Sequence, residues 1–140
     1  MPFWCDRQVF LGDTDSAGVI YFAHLLRLCH EVYELSLASA GINLQDFFCS
    51  PHQAIPITHA EIAFLQPIYP GDKLTIRLSG QKLTADTFQL QYAIFKGAEQ
   101  LASCAHTKHT CICPRTRHKI PLPDPINRWL LTVLPLDDPC

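Results

Sequence analysis

The 140-residue chain lacks long apolar runs and has no marked excess of either charge. No stretch approaches the ~20 consecutive apolar residues that a membrane-spanning helix needs. Lys and Arg total 11 against 13 for Asp and Glu, so the formal net charge is −2. Because nucleic-acid-binding domains usually carry a basic surface, this balance argues against a nucleic-acid partner. We therefore expect neither a membrane nor a nucleic acid among the partners of this protein.

Glycine-rich phosphate loops and a secretion signal are missing as well. The six glycines form no Walker or Rossmann pattern, and we expect no cofactor. The first ten residues, MPFWCDRQVF, lack the basic start and the small-residue cleavage site of a signal peptide. These observations predict a cytoplasmic protein.

Cysteine, in contrast, is plentiful, with seven residues. Their number is odd and their spacings are irregular, so we expect reduced thiols rather than a disulfide framework. The stretch from Cys104 to Cys113 offers side chains that bind zinc, but on a strand Cys104 and His106 face one side and His109 the other. No second Cys/His pair stands at zinc-ribbon spacing, and we expect no metal site. A Cys nucleophile with a His base stays open, although no pattern singles out one cysteine.

The first third of the chain combines one strand, one turn and one long helix. Phe3 to Leu11 has the aromatic and β-branched residues of a strand. Gly12 to Gly18 is rich in turn-forming residues. From about Phe22 onward, apolar residues recur at helical spacing until Gly41 ends the pattern. In a chain of this length, such a helix is expected to be the central element.

The rest of the chain has strand periodicity. Residues 43–56 have the composition of a loop, and a Pro-rich tail from about 114 to 140 contains a short helix over Ile126–Leu134. One strand, one long helix and then four consecutive strands predict an α+β architecture, with residues 1–140 as a single domain. The four later strands are predicted at Ile57–Gln66, Lys73–Leu83, Thr87–Lys96 and Gln100–Cys113.

Two carboxylates, Asp13 and Asp15, stand in the turn directly before the long helix. A turn aspartate is most often structural, because its side chain accepts hydrogen bonds from nearby backbone N–H groups. The alternative is catalysis. Hydrolysis of a thioester needs a carboxylate as nucleophile or base, and N–H donors for the oxyanion. A helix N-terminus supplies such donors, and Gly18 lets the backbone turn the carboxylate of Asp15 toward them, which makes Asp13 the weaker candidate.

The segment D-T-D-S-A-G-V-I-Y-F, residues 13–22, is the most specific pattern in the chain. Together with the following long helix and the P-x-x-x-G-D turn over residues 67–72, it resembles the hotdog-fold acyl-CoA thioesterases of the 4-hydroxybenzoyl-CoA thioesterase type. The resemblance covers about Val9 to Cys113. It implies a hotdog fold, in which an antiparallel curved sheet of about five strands wraps around one long helix. It also implies a homo-oligomer, at least a dimer and by expectation a tetramer, whose sheets join edge to edge.

The same resemblance implies roles for residues at the helix start. Asp15 would be the catalytic carboxylate, a backbone amide at Phe22 or a neighbour would bind the oxyanion, and Tyr21 would form a wall for an aromatic acyl group. His24 is expected to contact the substrate, with a partly exposed helix residue as the alternative. His59 is expected to face the acyl pocket of a partner subunit, with an ordinary interface histidine as the alternative.

Basic residues are few, so their clustering is informative. Arg115, Arg117 and Lys119 fall within five residues, and several convergent donors are what phosphate recognition favours. We expect this cluster to bind the phosphates of coenzyme A. The basic residues of the strand at Lys73–Leu83 are an alternative, and ordinary solvated charge is a second one.

The sequence thus predicts a thioesterase that hydrolyses an aromatic acyl-CoA. The particular acyl group stays open, and 4-hydroxybenzoyl is one of the alternatives. The rival from another class is a non-catalytic hotdog module that binds an acyl-CoA or an acyl carrier. A hotdog dehydratase is less favoured, because that class expects a helix histidine with an acidic partner, whereas here the carboxylate precedes the helix.

Overall fold

The computed structural model describes all 140 residues and contains one five-stranded antiparallel sheet. The strands lie in the order β1-β3-β4-β5-β2, so β1 and β2 form the two edges. All five predicted strands are confirmed, four of them slightly shorter than the sequence pattern. Their bounds are β1 Phe3–Gln8, β2 Ile57–Phe64, β3 Lys73–Lys82, β4 Thr87–Lys96 and β5 Gln100–Thr110.

Three α-helices accompany the sheet: α1 (Phe22–Ser39), α2 (Leu44–Phe48) and α3 (Asp124–Thr132). The start and the end of α1 agree with the prediction, and Gly41 follows it with a φ of +84°, a conformation that glycine adopts without strain. Helix α2 was predicted as loop, which is wrong. The Asn43 side chain accepts a hydrogen bond from the Asp46 N–H and caps one short helical turn. No helix is long and apolar enough to cross a membrane.

The core lies between one face of the sheet and the helices. Alternate residues of the central strands are fully buried there, and α1 covers them with its own apolar stripe. Helix α3 also belongs to this core, since the buried Trp129 donates a hydrogen bond from Nε1 to Ser36 Oγ of α1 at 2.9 Å. The strand residues of the core are Leu74, Ile76 and Leu78 from β3 and Phe88, Leu90, Tyr92 and Ile94 from β4.

The last residues of the chain cross the opposite face of the sheet. Asp137 pairs with Arg77 at 2.7 Å, and the Arg77 side chain is only 7% exposed. Cys140 forms a disulfide with Cys104 on β5, with the Cα atoms 6.0 Å apart. The prediction that all thiols are reduced is therefore wrong for this pair, whereas the other five cysteines are free. The spacing of the cysteines along the chain contains no information about a tail that returns to the sheet.

One histidine is buried in the core beside α1. His109 of β5 stacks on Phe88 with ring centroids 4.6 Å apart, and its Nε2 lies 2.8 Å from Thr107 Oγ1. Its Nδ1 has no hydrogen-bond partner. Burial, with a smaller contribution from His30, lowers the pKa of His109 to about 3.

We expect this histidine to make the fold sensitive to acid. In the unfolded chain the pKa of His109 returns to its ordinary value of 6.5, so the unfolded state binds the extra proton first as the pH falls. One such group lowers the free energy of unfolding by about 2 kcal/mol between pH 7.5 and pH 5. Urea unfolding at both pH values measures this decline, and His109→Gln should reduce it by that amount. His52→Gln, at an exposed histidine, is the control, and an equal effect of both substitutions would contradict the explanation.

Candidate active site

Asp15 lies in a short hairpin-like turn between the 3-10 turn Leu11–Asp13 and helix α1. Thr14 and Ile20 form an isolated antiparallel bridge that closes the turn. Inside it, the Gly18 N–H donates to the Asp15 carbonyl at 3.0 Å, and the Asp15 N–H donates to a carbonyl on the returning side at 3.0 Å. Gly18 has a φ of +82°, which is why glycine is needed here.

The returning side of the turn is anchored in two directions just before α1 begins. The Ile20 N–H donates to the Ile68 carbonyl at 2.8 Å. The next residue, Tyr21, donates its N–H to the Asp13 carbonyl at 2.9 Å. These two bonds determine where the first residue of α1 lies relative to Asp15.

The contacts of Asp13 are those of a structural residue. This agrees with the sequence-based expectation that Asp13 is the weaker catalytic candidate. It is 5% exposed, and its Oδ2 accepts hydrogen bonds from the Phe10 N–H and from Arg7 Nη1, both at 2.9 Å. Burial by itself raises the pKa of Asp13, but the bonds from Arg7 and Phe10 outweigh it and leave that pKa below its usual range. The carboxylate is thus held ionised and fully engaged.

Asp15, in contrast, has a largely free carboxylate. Its side chain is exposed, and its only hydrogen bond runs from the Ala17 N–H to Oδ1 at 2.8 Å. No Lys, Arg or His pairs with it. It borders a pocket of about 430 Å³, whose other walls are Val19, Ile20 and Phe22 on one side and Phe64–Ile68 on the other. An available carboxylate therefore faces a mainly apolar pocket.

The start of α1 contributes two free hydrogen-bond donors to the same region. Tyr21 provides no side-chain cap, and the first turn contains no acidic residue. The first N–H with a backbone partner beyond Tyr21 is that of His24, which donates to the Tyr21 carbonyl at 2.9 Å. The N–H groups of Phe22 and Ala23 have no acceptor in the protein. They lie at the positive end of the helix dipole, which suits them to bind a developing oxyanion.

Two further predicted residues surround this helix start. The Tyr21 ring packs against Phe22 and His24, with centroids 4.8 Å and 5.3 Å away. Nδ1 of His24 is buried and has no hydrogen-bond partner. Tyr21 and His24 therefore lie beside Phe22, although neither of them lines the pocket at Asp15.

His59 and the basic cluster are distant from Asp15 within one subunit. His59 is on edge strand β2, 53% exposed and 3.5 Å from Glu61. It precedes Phe64 at the pocket by five residues, which is roughly 17 Å along a strand. Arg115, Arg117 and Lys119 are exposed beyond the far end of β5, at roughly 30 Å from the pocket end of that strand.

Two basic residues of the alternative phosphate site on β3 are already engaged, whereas Lys73 is exposed and unpaired. Arg77, its central basic residue, is buried against Asp137. Lys82 donates to Asn127 Oδ1 at 3.0 Å. In the Arg115–Lys119 turn, no basic side chain is paired with a carboxylate. This turn is therefore the better phosphate candidate.

Sequence reasoning missed the wall formed by Phe64–Ile68. This segment leaves the end of β2, and the N–H groups of Leu65 and Gln66 donate to the Ala102 carbonyl of β5. Its apolar residues around Pro67 were the available signal, but they are not distinguishable from an ordinary strand end. A larger cavity of about 620 Å³ lies at the other end of α1, between residues 40–47 and α3, and contains none of the predicted site residues.

The comparison with known families identifies the class of protein. The family model described as thioesterase-like superfamily matches residues 9–130, and the chain belongs to this family. The fold is the hotdog fold of thioesterases, with one antiparallel sheet around a long central helix.

Similar proteins with a known name are thioester hydrolases. A 1,4-dihydroxy-2-naphthoyl-CoA hydrolase of Microcystis aeruginosa is 49% identical over 130 residues, which cover 93% of this chain and 92% of that protein. The protein of the same name from Nostoc punctiforme is 47% identical over 94% of this chain and 88% of its own. The crystal structure of a 1,4-dihydroxy-2-naphthoyl-CoA thioesterase from Synechocystis superposes with a TM-score of 0.90 at 38% identity, covering 99% of this chain and 100% of that chain.

Proposed function

We propose that the chain, as a single hotdog domain, hydrolyses 1,4-dihydroxy-2-naphthoyl-CoA to 1,4-dihydroxy-2-naphthoate and CoA, in phylloquinone (vitamin K1) biosynthesis in the cytoplasm. The observation that supports it most is the free carboxylate of Asp15 at an apolar pocket that also contains Phe22, the first residue of α1. The identity to hydrolases of that name over nine-tenths of the chain supports the choice of acyl group.

In this mechanism the thioester carbonyl lies between Asp15 and the start of α1. The N–H groups of Phe22 and Ala23 stabilise the negative charge that develops on the carbonyl oxygen. As a general base, Asp15 takes a proton from water, the water oxygen attacks the carbonyl carbon, and the C–S bond breaks as the proton passes to the CoA sulfur. As a nucleophile, Asp15 forms an acyl anhydride and releases CoA, and water then cleaves the anhydride. Only the second route places an acyl group on Asp15, so mass spectrometry of the enzyme quenched within a single turnover separates the two routes.

A second copy of the chain completes the site in this proposal. Since Leu65 donates its N–H to β5, the alternation along β2 directs the N–H groups of Ala60, Ile62 and Phe64 away from β5. Because β2 is an edge strand, no further strand of the chain lies on that side. The exposed Ile57, Phe64 and Leu65 border the same edge. An unpaired edge with apolar neighbours favours pairing with another β2 into one continuous sheet, and two such dimers form the tetramer.

The direction of this pairing explains how His59 and the Arg115–Lys119 turn, which are far from Asp15 within one subunit, contribute to the site of the other subunit. A two-fold axis makes the paired β2 strands antiparallel, so the Ile57 end of one subunit approaches the Phe64 end of the other. His59 of the second copy then lies near the acyl pocket. Tyr21 and His24 flank Phe22 next to that pocket, and in this proposal they contact the part of the acyl group that extends past Phe22. The turn with Arg115, Arg117 and Lys119 follows the β5 end that pairs with Ile57. It therefore approaches the pocket of the other subunit, where it binds CoA phosphates.

A substrate panel tests the proposed function. CoA release is measured with 1,4-dihydroxy-2-naphthoyl-, 4-hydroxybenzoyl- and aliphatic acyl-CoAs, and with a pantetheine thioester of the preferred acyl group. We expect the dihydroxynaphthoyl ester to have the highest kcat/KM and the pantetheine ester, which lacks the nucleotide phosphates, to have a higher KM. If another acyl-CoA had a higher kcat/KM, its acyl group would replace 1,4-dihydroxy-2-naphthoyl as the proposed substrate. Binding without CoA release from any thioester would identify a non-catalytic acyl-CoA module.

A further inference from the structure

The Arg7 guanidinium connects the turn before α1 with α1 itself. Arg7 stands near the end of β1, on the side of the sheet that faces α1. Its Nη1 and Nη2 donate to the two carboxylate oxygens of Asp13 at 2.9 Å and 3.4 Å. Its Nε donates to Glu31 Oε2 of α1 at 3.2 Å. The same group also donates to the Gln8 carbonyl and lies 5.4 Å from the centre of the Phe10 ring.

These contacts matter because no side-chain hydrogen bond caps the start of α1. Its N-cap, Tyr21, makes no side-chain capping bond. Beside the backbone bond from Ile20 to Ile68, Tyr21 is held by its N–H bond to the Asp13 carbonyl. The Asp13 side chain is held in turn by Arg7 and the Phe10 N–H. A continuous chain of contacts thus runs from Arg7 through Asp13 to the residue before Phe22.

We propose that Arg7 is a positioning residue that fixes the distance between Asp15 and the free N–H groups at the start of α1. Arg7 is too engaged with Asp13 and Glu31 to contact a substrate, so it acts through these residues. Its kinetic effect rests on the proposed thioesterase function. Its effect on the backbone does not, and this difference makes the two separately testable.

The geometry requires an arginine. One guanidinium serves two carboxylates in different elements because its N–H groups form a rigid, planar fork. A lysine in the same place has a compact charge that can bind one carboxylate well but not both. Arg27 also approaches Glu31, at 3.9 Å, but has no hydrogen bond to Asp13. Arg27 is therefore a matched control in the same charge cluster.

The kinetic test compares Arg7→Met, Arg7→Lys and Arg27→Met in the full-length protein. A shift of about 1 Å between reacting groups can reduce a rate by about 100-fold. We expect Arg7→Met to lower kcat by 10- to 100-fold with KM changed less than about threefold. Arg7→Lys should recover part of this loss, and Arg27→Met should change kcat less than about twofold. Equal kcat values for Arg7→Met and the wild type would overturn the proposal.

Amide hydrogen exchange tests the same proposal without any substrate. We expect exchange at the Tyr21 N–H to accelerate at least tenfold in Arg7→Met, while the core strand residue Leu90 exchanges as in the wild type. An equal acceleration at both positions would mean general destabilisation and would overturn the positioning role. If Arg7→Met does not fold, Glu31→Ala removes the contact of Arg7 with α1, together with the longer Arg27–Glu31 pair that Arg27→Met controls for, and should give a smaller effect of the same kind at Tyr21. Faster exchange at Tyr21 in a protein that hydrolyses no thioester supports the role of Arg7 and rejects only the proposed reaction.

Discussion

Asp15→Asn is expected to lower kcat for thioester hydrolysis by about 10³-fold while the protein stays folded. The amide of Asn keeps the shape of the carboxylate and can accept the Ala17 N–H bond that Asp15 makes. It cannot take a proton from water, and it is a poor nucleophile. Because the helix-start amides remain, a residual rate above that of the free thioester is expected. Release of the CoA thiol under saturating substrate measures the change.

The control for this substitution is Asp124→Asn. Asp124 is an exposed aspartate in the first turn of α3, and its side chain makes no hydrogen bond or ion pair. We expect its kcat and thermal midpoint to match those of the wild type. If Asp15→Asn retained more than a tenth of the wild-type kcat with a normal KM, Asp15 would be a turn residue and the proposed mechanism would be wrong.

Ala60→Pro is expected to convert the oligomer into monomers and to remove most of the activity. Proline lacks the N–H group that Ala60 directs away from β5, so the strand keeps its bonds within the subunit but cannot pair fully with a second copy. In the proposed dimer each pocket uses residues of the partner. We therefore expect kcat/KM to fall by about 100-fold, with light scattering reporting one chain per particle.

Asp6→Pro provides the comparison at the other edge of the sheet, and it also removes the exposed hydrogen bond from Thr75 Oγ1 to Asp6 Oδ1. Since Val9 donates its N–H to Asp72, the alternation along β1 directs the Asp6 N–H away from β3, as at Ala60 on β2. This variant should keep the oligomeric state and the activity of the wild type. Monomers from Asp6→Pro together with intact oligomers from Ala60→Pro would mean that the subunits pair along β1 instead.

Much of the architecture could be predicted from the sequence because its signals are local. The period of the apolar residues in Phe22–Ser39 defines α1, and Gly41 defines its end. Alternation over Lys73–Lys82 and Thr87–Lys96 defines two neighbouring strands. The turn with Asp15 was also visible, since turn residues and the helix start are adjacent in the chain. The prediction failed at α2. The composition of residues 43–56 indicates a loop, but the Asn43 side chain caps a short helix there.

The sequence by itself thus determined the elements, their order and the carboxylate that precedes α1. Only the tertiary structure decided which of the two aspartates is engaged, because Arg7, the partner of Asp13, comes from a different element. Only the tertiary structure likewise shows that Phe64–Ile68 forms a wall of the pocket and that Cys104 is bonded to Cys140. It also shows that the Arg115–Lys119 turn is far from Asp15 within one subunit. These are contacts between residues far apart in the chain. They depend on how strands and helices pack, and neither periodicity nor spacing records that packing.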